Sequence, residues 1–300
     1  MTIPLQPREA LRNGRFIPGE SPLPPALKDF AQDDWFWGRG EFAQRAQKWI
    51  QLAAESQVHV LVIGETGTGK EIIAKHIHNR RKKIRSLNAT DAPFVAVNCG
   101  ALPESLAESI LFGHERGAFT SARERQSGRF EVAKQGTLFL DEIQALTPSC
   151  QAKLLRVIQH REYERLGAKS TLSVDCQIVA ASGIPLEILV ERGEFRRDLY
   201  YRLNVCPIYL PPLRKRTDDF EGIAQGLLMR ISSQLQRPTQ NWTLDTLETL
   251  KSYTWPGNIR ELEHALLYAC LRSKGTFESK SLPPYLTGEL THYLSEGIWK

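Results

Sequence analysis

The stretch from Val60 to Glu71 reads V-L-V-I-G-E-T-G-T-G-K-E, and it decides how the rest of the chain is interpreted. Its first four residues are an apolar run typical of a buried strand. The glycines that follow let the backbone bend, so that successive N–H groups point at an anion. A helix predicted from Glu71 to about His78 presents the positive end of its dipole to the same anion. This order of strand, loop and helix predicts a phosphate-binding loop.

The phosphate loop supplies the first candidate ligand-binding residues. Its spacing matches G-x-x-x-x-G-K, a motif in which the lysine reaches the outer phosphates of a nucleotide. The motif ordinarily continues with a serine or threonine whose hydroxyl binds magnesium, but a glutamate stands there instead. We therefore expect another element to hold the metal. The predicted nucleotide-binding residues of this loop are Gly64, Glu65, Thr66, Gly67, Thr68, Gly69, Lys70 and Glu71.

A second motif places two adjacent carboxylates at the end of a predicted strand. Residues 136–142 read G-T-L-F-L-D-E, so the apolar run ends in Asp141 and Glu142. Asp141 can hold Mg²⁺ directly or through water, and Glu142 can polarise a water for attack on a γ-phosphate. Alone, such a pair is also typical of a solvated turn. Together with the phosphate loop, it predicts ATP binding with Mg²⁺ and hydrolysis.

Composition excludes several classes of protein. Hydrophobic and charged residues make up 41% and 24% of the chain, which is ordinary for a soluble globular protein. The net charge of +5 permits nucleic acid as a partner without requiring it. The chain has no apolar run long enough to span a membrane and no signal pattern, so we expect a cytoplasmic protein without a membrane partner. The five cysteines lack C-x-x-C spacing and are expected to be reduced packing residues.

Short apolar runs alternate with segments of helical periodicity, which favours a mainly parallel, five-stranded α/β sheet covered on both faces. Beyond Pro212 the strand signals stop and only helical patterns remain. The remaining strand candidates are residues 94–97, 137–140, 176–181 and 206–210. The expected segments are a proline-rich arm at 1–37, a nucleotide-binding domain at 38–212, a helical lid at 213–288 and a tail at 289–300.

These motifs belong to a longer ordered set that resembles one family. The chain is similar to the central ATPase domain of the bacterial enhancer-binding proteins, the AAA+ activators of sigma-54 RNA polymerase. A glutamate directly after the lysine, as at Glu71 here, is also usual in that family. The matching strings are G-E-T-G-T-G-K-E at 64–71, V-N-C at 97–99, L-F-G-H-E-R-G-A-F-T-S-A at 111–122, G-T-L-F-L-D-E-I at 136–143, G-E-F-R-R-D-L-Y-Y-R-L-N-V at 193–205, L-P-P-L-R-K-R at 210–216 and W-P-G-N-I-R-E-L-E at 255–263.

The resemblance implies roles for matching residues around the nucleotide. Asn98 resembles a switch that holds the catalytic glutamate, here Glu142, in an inactive pose, although a turn-capping asparagine has the same local sequence. Arg196 and Arg202 resemble arginine fingers that enter a neighbouring subunit's site, which implies a ring, with a hexamer as the expected form. Exposed arginines are otherwise solvated or paired, here with Glu194 or Asp198. Arg260 resembles the sensor arginine of the lid.

The resemblance also implies a partner. The loop made of Gly117, Ala118, Phe119, Thr120, Ser121 and Ala122 resembles the G-A-F-T-G-A loop by which these activators contact sigma-54. A small-residue loop with one aromatic and one hydroxyl can rise or fold away, although a buried turn would have the same composition. The implied function is an ATP-hydrolysing oligomer that contacts sigma-54 RNA polymerase holoenzyme and remodels it for promoter opening. No helix-turn-helix is evident, so promoter DNA is expected to be only an indirect partner.

The chain departs from the family pattern at three positions. Ser121 replaces the second glycine of the loop, Gly183 stands where an asparagine is usual, and Arg197 replaces an acidic residue. A glycine at 183 offers no amide to sense a γ-phosphate, so hydrolysis could be slower or differently coupled. Two alternatives therefore stay open: a ring ATPase that remodels another protein or a nucleic-acid complex, and a nucleotide-binding co-regulator with little hydrolysis.

Overall fold

The structure, a computed structural model, describes Gly38 and residues 40–56, 58–88, 90–120, 122–238, 240–273 and 275–287. The predicted arm at 1–37, the predicted tail at 289–300 and Ser121 lie outside these residues. In chain order the strands are β1 (Val60–Ile63), β2 (Phe94–Asn98), β3 (Gly113–His114), β4 (Gln126–Ser127), β5 (Thr137–Asp141), β6 (Glu162–Glu164), β7 (Thr171–Ser173), β8 (Gln177–Ser182) and β9 (Cys206–Tyr209).

The α-helices complete the list of main elements. They are α1 (Glu41–Ser56), α2 (Lys70–Arg85), α3 (Ala107–Phe112), α4 (Arg129–Ala133), α5 (Pro148–His160), α6 (Leu186–Glu191), α7 (Arg197–Leu203), α8 (Thr217–Gln234), α9 (Leu244–Ser252), α10 (Asn258–Arg272) and α11 (Pro284–Thr287). In the part of the chain that the structure describes, no helix combines the length and apolar character needed to cross a bilayer.

Five parallel strands form the central sheet in the order β2-β5-β8-β1-β9. Each was expected from its apolar run, and each observed strand lies within one or two residues of the predicted limits. The register sets the functional edge, because Asn98 pairs with Asp141 and Ile63 pairs with Ser182. The carboxyl ends of β1, β2, β5 and β8 therefore meet at one edge, where parallel α/β sheets bind their ligands.

Alternate strand residues serve two hydrophobic cores, which explains the continuous apolar runs. Val60 and Val62 of β1 face a core built with α1, α2 and the lid helices. Leu61 and Ile63 face the opposite core, built mainly with α3, α5 and α7. All five cysteines are buried and free, as predicted.

Helix α2 is longer than predicted. It continues from Lys70 to Arg85 and so includes the basic run R-R-K-K-I-R at 80–85. Arg81 within that run is buried, and its guanidinium donates to the carbonyls of Gln135 and Gly136 before β5. The basic run is therefore partly a packing feature rather than a wholly solvated surface.

Two small antiparallel ribbons escaped the sequence analysis. Strands β3 and β4 pair on either side of the loop at 117–122, and β6 and β7 form a hairpin. Leu166 in the turn of that hairpin accepts from Glu115 N–H and donates to the carbonyl of Gly113. The two ribbons therefore form the base on which the loop stands.

Helices α8 to α11 form the lid, whose helix α8 packs on α10. Trp255 is 1% exposed, and its indole N–H donates to the carbonyl of Leu250 at 2.8 Å. The lid residues Phe220, Leu262 and Leu266 share one core with β1 and α2. The lid is thus packed directly on the elements that carry the phosphate loop.

Candidate nucleotide site and partner-contact loop

Only two of the three glycines in the phosphate loop have the left-handed backbone that glycine permits. Gly67 and Gly69 have φ values of 81° and 96°, where a Cβ is strained. Gly64 has no such φ; a Cβ there would lie 2.9 Å from Leu210 Cβ and 3.0 Å from Thr68 Oγ1. Gly64 is therefore required by close packing against Leu210, directly after β9, rather than by bending. Thr68 Oγ1 donates to the carbonyl of Glu65 at 2.7 Å, which closes the loop.

Lys70 begins α2 and lies inside this loop. Its side chain is buried, and Nζ donates to the carbonyl of Gly64 at 2.9 Å. Burial lowers the pKa of the ammonium, while the carboxylate of Asp141 opposes that change. Nζ is also 3.9 Å from Glu142 Oε1. Lys70 thus sits between the loop and the strand-end carboxylates, where an outer phosphate would meet it. Glu71 points elsewhere and pairs with Lys75 at 2.9 Å on the exposed side of α2.

The strand-end carboxylates lie where the sequence placed them. Asp141 ends β5, its Oδ1 accepts from the Glu142 N–H at 3.0 Å, and burial raises its pKa. Among the described residues, no group of three or more His, Cys, Asp or Glu side chains could hold a metal alone. Mg²⁺ usually binds one or two carboxylates and completes its shell with water and substrate phosphates. Asp141 beside the phosphate loop fits that requirement.

Glu142 and Asn98 are neighbours at this edge, but their side chains have other partners. Asn98 Oδ1 accepts from the Gly100 N–H at 2.9 Å, so it caps the turn after β2. Glu142 has a left-handed backbone, with φ of 52°. Its Oε2 accepts a hydrogen bond from the side-chain amide of Gln144. No hydrogen bond joins Asn98 to Glu142 here, and the Glu142 carboxylate is bonded by Gln144 instead.

The lid binds the tip of the phosphate loop through its backbone and through one asparagine. Gly67 O accepts from the N–H groups of Ile259 and Arg260, at 3.0 Å and 3.3 Å. A Cβ on Gly67 would lie 2.2 Å from the carbonyl oxygen of Gly257. Asn258 is fully buried and donates from Nδ2 to the carbonyl of Thr66 at 3.0 Å. The predicted sensor Arg260 is consequently held directly over the loop.

Asn258 and an ion pair extend this contact. Asn258 Oδ1 accepts from the Leu213 N–H at 2.8 Å, and its Nδ2 also lies 3.2 Å from Glu65 Oε2. Arg214 forms two parallel hydrogen bonds to Glu65, at 2.8 Å and 2.6 Å. These bonds lower the pKa of Glu65 to about 2. Three segments far apart in the chain therefore meet at the loop, and the lid cannot move without affecting Glu65 and Thr66.

The predicted arginine fingers lie on the molecular surface at α7. Arg196 precedes the helix and Arg202 lies in its last turn, and both are exposed. Buried Gln151 positions Arg196 by accepting from its backbone N–H at 2.9 Å. The Arg196 guanidinium pairs with Asp198 through bonds of 3.0 Å and 2.8 Å. Arg197 is exposed beside them, so the departure at that position alters surface charge only.

The loop at 117–122 is neither buried nor extended. Gly117 and Thr120 are exposed, Phe119 is half-buried, and Ala122 is buried. The Gly117 N–H donates to the carbonyl of Ala122 at 2.8 Å, which closes the loop into a narrow turn. The Phe119 ring packs edge-on against His114, with 4.9 Å between ring centroids. The aromatic is thus folded against the base of the loop while the threonine faces solvent.

An ion network fixes the base of this loop. The buried guanidinium of Arg165, from the β6–β7 hairpin, bonds Glu131 at 3.1 Å and 2.5 Å. It also bonds Glu115 at 2.7 Å, directly before the loop, and Arg125 lies near both carboxylates after it. These bonds raise the pKa of Arg165 and lower that of Glu131. Both ends of the loop are therefore tied to one hairpin.

Comparison with known proteins gives this architecture a family. The family described as "Sigma-54 interaction domain" matches residues 36–209, and the one described as "AAA+ ATPase lid domain" matches residues 214–295. The chain belongs to the sigma-54 interaction domain family. The predicted family and the AAA+ fold class, with its five-stranded sheet and helical lid, are both confirmed.

Curated relatives of this sigma-54 interaction domain are transcriptional regulators. The formate hydrogenlyase transcriptional activator FhlA of Escherichia coli is 44% identical over 84% of this chain and 36% of its own length. The Nif-specific regulatory protein of Azotobacter vinelandii is 50% identical over 75% of this chain and 42% of its length. The regulatory protein AtoC of Escherichia coli is 46% identical over 78% of this chain and 50% of its own length. The chain thus spans at most half the length of these relatives.

A solved structure of the same architecture carries nucleotide. NtrX from Brucella abortus, solved in complex with ADP, superposes with a TM-score of 0.75 at 26% identity, covering 84% of this chain and 55% of that chain. NtrX in complex with ATP matches with the same values.

Three functional candidates were missed by the sequence patterns, one in the sigma-54 interaction domain and two in the lid. Asn258 lies in the shared string at 255–263, but nothing local to it indicates its bonds to Thr66 and Leu213. Arg214 lies in another shared string, but nothing local to it indicates Glu65 as its partner. Gln144 lies outside every quoted string, and no local pattern indicates it.

Proposed function

We propose that this chain is an ATP-hydrolysing, ring-forming activator domain that contacts sigma-54 RNA polymerase holoenzyme and remodels it for promoter opening. The observation that supports this most is the coexistence, in one sigma-54 interaction domain, of a complete nucleotide edge and an accessible loop at 117–122. The two lie on connected elements, because β5 ends in Asp141 and begins beside α4, whose Glu131 holds the hairpin under the loop.

The nucleotide is ATP, held by the phosphate loop. The backbone of residues 64–69 and the ammonium of Lys70 bind its phosphates, with the N-terminus of α2 directed at them. Arg260 reaches the same phosphates from the lid. Asp141 holds Mg²⁺, which when bound neutralises charge on the phosphate oxygens. NtrX, with ATP or ADP in the same architecture, supports this assignment.

Glu142 is the residue that acts on the attacking water. Hydrolysis forms a bond between the water oxygen and the γ-phosphorus and breaks the bond to the β–γ bridging oxygen. The proton that leaves the water passes to the Glu142 carboxylate. Glu142 is well placed for this, since its Oε1 lies 3.9 Å from the Lys70 ammonium, beside the expected γ-phosphate. Asn98 pairs with Asp141 on the neighbouring strand, and we propose that it takes over the Glu142 carboxylate after a change of side-chain rotamer.

Arg196 and Arg202 act in a neighbouring subunit's site, which makes the active form a ring, proposed to be a hexamer. Their exposure on α7 supports this, because a finger must leave its own surface to neutralise charge in another subunit. The pair between Arg196 and Asp198 is exposed at both side chains, so its loss on assembly costs little.

The loop at 117–122 is the contact surface for sigma-54, with Phe119 and Thr120 as the contacting side chains and Ser121 beside them. Promoter DNA is then an indirect partner, and the protein works in the cytoplasm. We also propose the divisions at 38–212 and 213–288, since the last strand ends at Tyr209 and helical structure follows from Leu213.

The decisive experiment mixes the purified chain with sigma-54 holoenzyme in the presence of ADP and aluminium fluoride. A stable complex is expected for the wild type, and Phe119→Ala is expected to lose it while ATP hydrolysis persists. Leu244→Ala, which removes a 79% exposed side chain from the lid, is the matched control and should retain the complex. No complex under conditions where the ring assembles would refute the sigma-54 assignment, and recovery of a different client would favour another remodelling ATPase.

A further inference from the structure

Gly183 leaves open space beside the catalytic carboxylate. It follows Ser182, the last residue of β8, at the same edge as Asp141. A Cβ built on Gly183 would lie 3.5 Å from Glu142 Oε2 and 3.7 Å from Gln144 Nε2. Those distances are ordinary van der Waals contact, so a longer side chain at 183 would occupy the space that these two groups use.

Gln144 fills part of that space from a different element. It lies in the short 3₁₀ turn Ile143–Ala145, directly after Glu142. Its amide Nε2 donates to Glu142 Oε2, and its Oε1 is buried and accepts no hydrogen bond from the described residues. A buried amide oxygen in a polar pocket ordinarily has a partner, and water is the usual one.

The two ends of this amide suit one task. The Nε2 donor fixes the Glu142 carboxylate, so that Oε2 is occupied and Oε1 faces the Lys70 ammonium at 3.9 Å. The Oε1 acceptor of Gln144 can take a hydrogen from a water, which restricts how that water is oriented towards a bound phosphate. Fixing the base and the water in advance is a recognised contribution to catalysis.

We infer that Gln144 is a positioning residue for hydrolysis, and that its amide works from the turn after β5 in the space left by Gly183. This inference rests on the proposed function. It identifies Gln144 as a further residue of the same site. It also explains why a glycine is tolerated at position 183, because the Gln144 amide reaches the site from the turn after β5.

The test is a double-mutant cycle of Gln144→Ala and Gly183→Asn, measured as phosphate release and as binding. Gln144→Ala is expected to lower kcat about tenfold, the effect of one lost hydrogen bond of about 1.4 kcal/mol, with KM nearly unchanged. Affinity for ADP with aluminium fluoride should fall about as much, while affinity for ADP alone stays constant. Gly183→Asn should restore most of the lost rate in the Gln144→Ala background and give no gain in the wild type, where the space is occupied.

Gln135→Ala is the matched control, since it removes an exposed glutamine side chain at the opposite end of β5. A wild-type rate of phosphate release in Gln144→Ala would overturn this inference but not the proposed function, provided that Glu142→Gln abolishes hydrolysis. So would a parallel loss of ADP affinity or thermal stability, which would indicate a merely structural role. Equal phosphate release from the wild type and Glu142→Gln would instead refute the proposed hydrolysis, and the inference with it.

Discussion

Replacing Asn258 by alanine should both destabilise the protein and loosen the phosphate loop. Asn258 is fully buried and has a left-handed backbone with φ of 54°. Its Oδ1 accepts from the Leu213 N–H at 2.8 Å, and its Nδ2 donates to the carbonyl of Thr66 at 3.0 Å. One side chain therefore satisfies polar groups of two other segments.

The cost follows from these contacts. Leaving the Leu213 N–H without a partner costs about 2 kcal/mol, and the lost bond to Thr66 about 1 kcal/mol more. Alanine in the left-handed region adds about 1 kcal/mol, because its Cβ approaches the carbonyl and no side-chain hydrogen bond compensates. The expected loss in unfolding free energy is about 4 kcal/mol, large for a single substitution.

Urea unfolding of matched variants checks each part. Asn258→Gly should lose about 1 kcal/mol less than Asn258→Ala, since glycine tolerates the backbone. Asn258→Asp keeps the acceptor for Leu213 and should lie between wild type and alanine. Affinity for ADP should fall in all three, because the loop tip is no longer held. Asn241→Ala, at an exposed asparagine, should stay within about 0.5 kcal/mol of wild type.

A change below about 1 kcal/mol in Asn258→Ala, or an equal loss in Asn258→Ala and Asn258→Asp, would refute this reasoning, because stability would then not depend on the Leu213 contact.

Three further predictions concern other parts of the molecule. Burial lowers the pKa of His78 from 6.5 to about 4, so between these pH values the unfolded chain binds a proton that the folded protein does not. About 3 kcal/mol of stability is therefore lost as the pH falls from 6.5 to 4. His78→Gln should flatten the dependence of unfolding free energy on pH in this range, and an unchanged slope would contradict the assignment. Arg165→Ala removes the buried cation that Glu131 and Glu115 share, and it should cost about 2 kcal/mol in thermal or urea unfolding. Arg116→Ala, at an exposed arginine, should not. Arg202→Ala should abolish ATP hydrolysis without changing monomer stability. If the finger acts between subunits, mixing Arg202→Ala subunits with Lys70→Ala subunits should restore part of the hydrolysis rate. No restoration in assembled mixtures would argue against a finger that acts between subunits.

The sequence by itself determined the five strands of the central sheet, the phosphate loop and the strand-end carboxylates. The three inner strands β1, β5 and β8 are short apolar runs buried on both faces, so their composition alone identifies them. The phosphate loop and Lys70 lie within a few residues of one another, and local backbone chemistry specifies them. The seven ordered strings between residues 64 and 263 indicated the family, which the comparisons confirmed.

Only the tertiary structure decided which side chains act together. The bonds from Asn258 to Thr66 and from Arg214 to Glu65 join residues 192 and 149 positions apart, and the Arg165 network is built in the same way. Gln144 acquires its place because Gly183, directly after strand β8, leaves room for it. Periodicity and spacing indicate the secondary structure of the segment in which a residue lies. Long-range hydrogen bonds depend on how packed segments bring donors and acceptors together, and no local pattern records that.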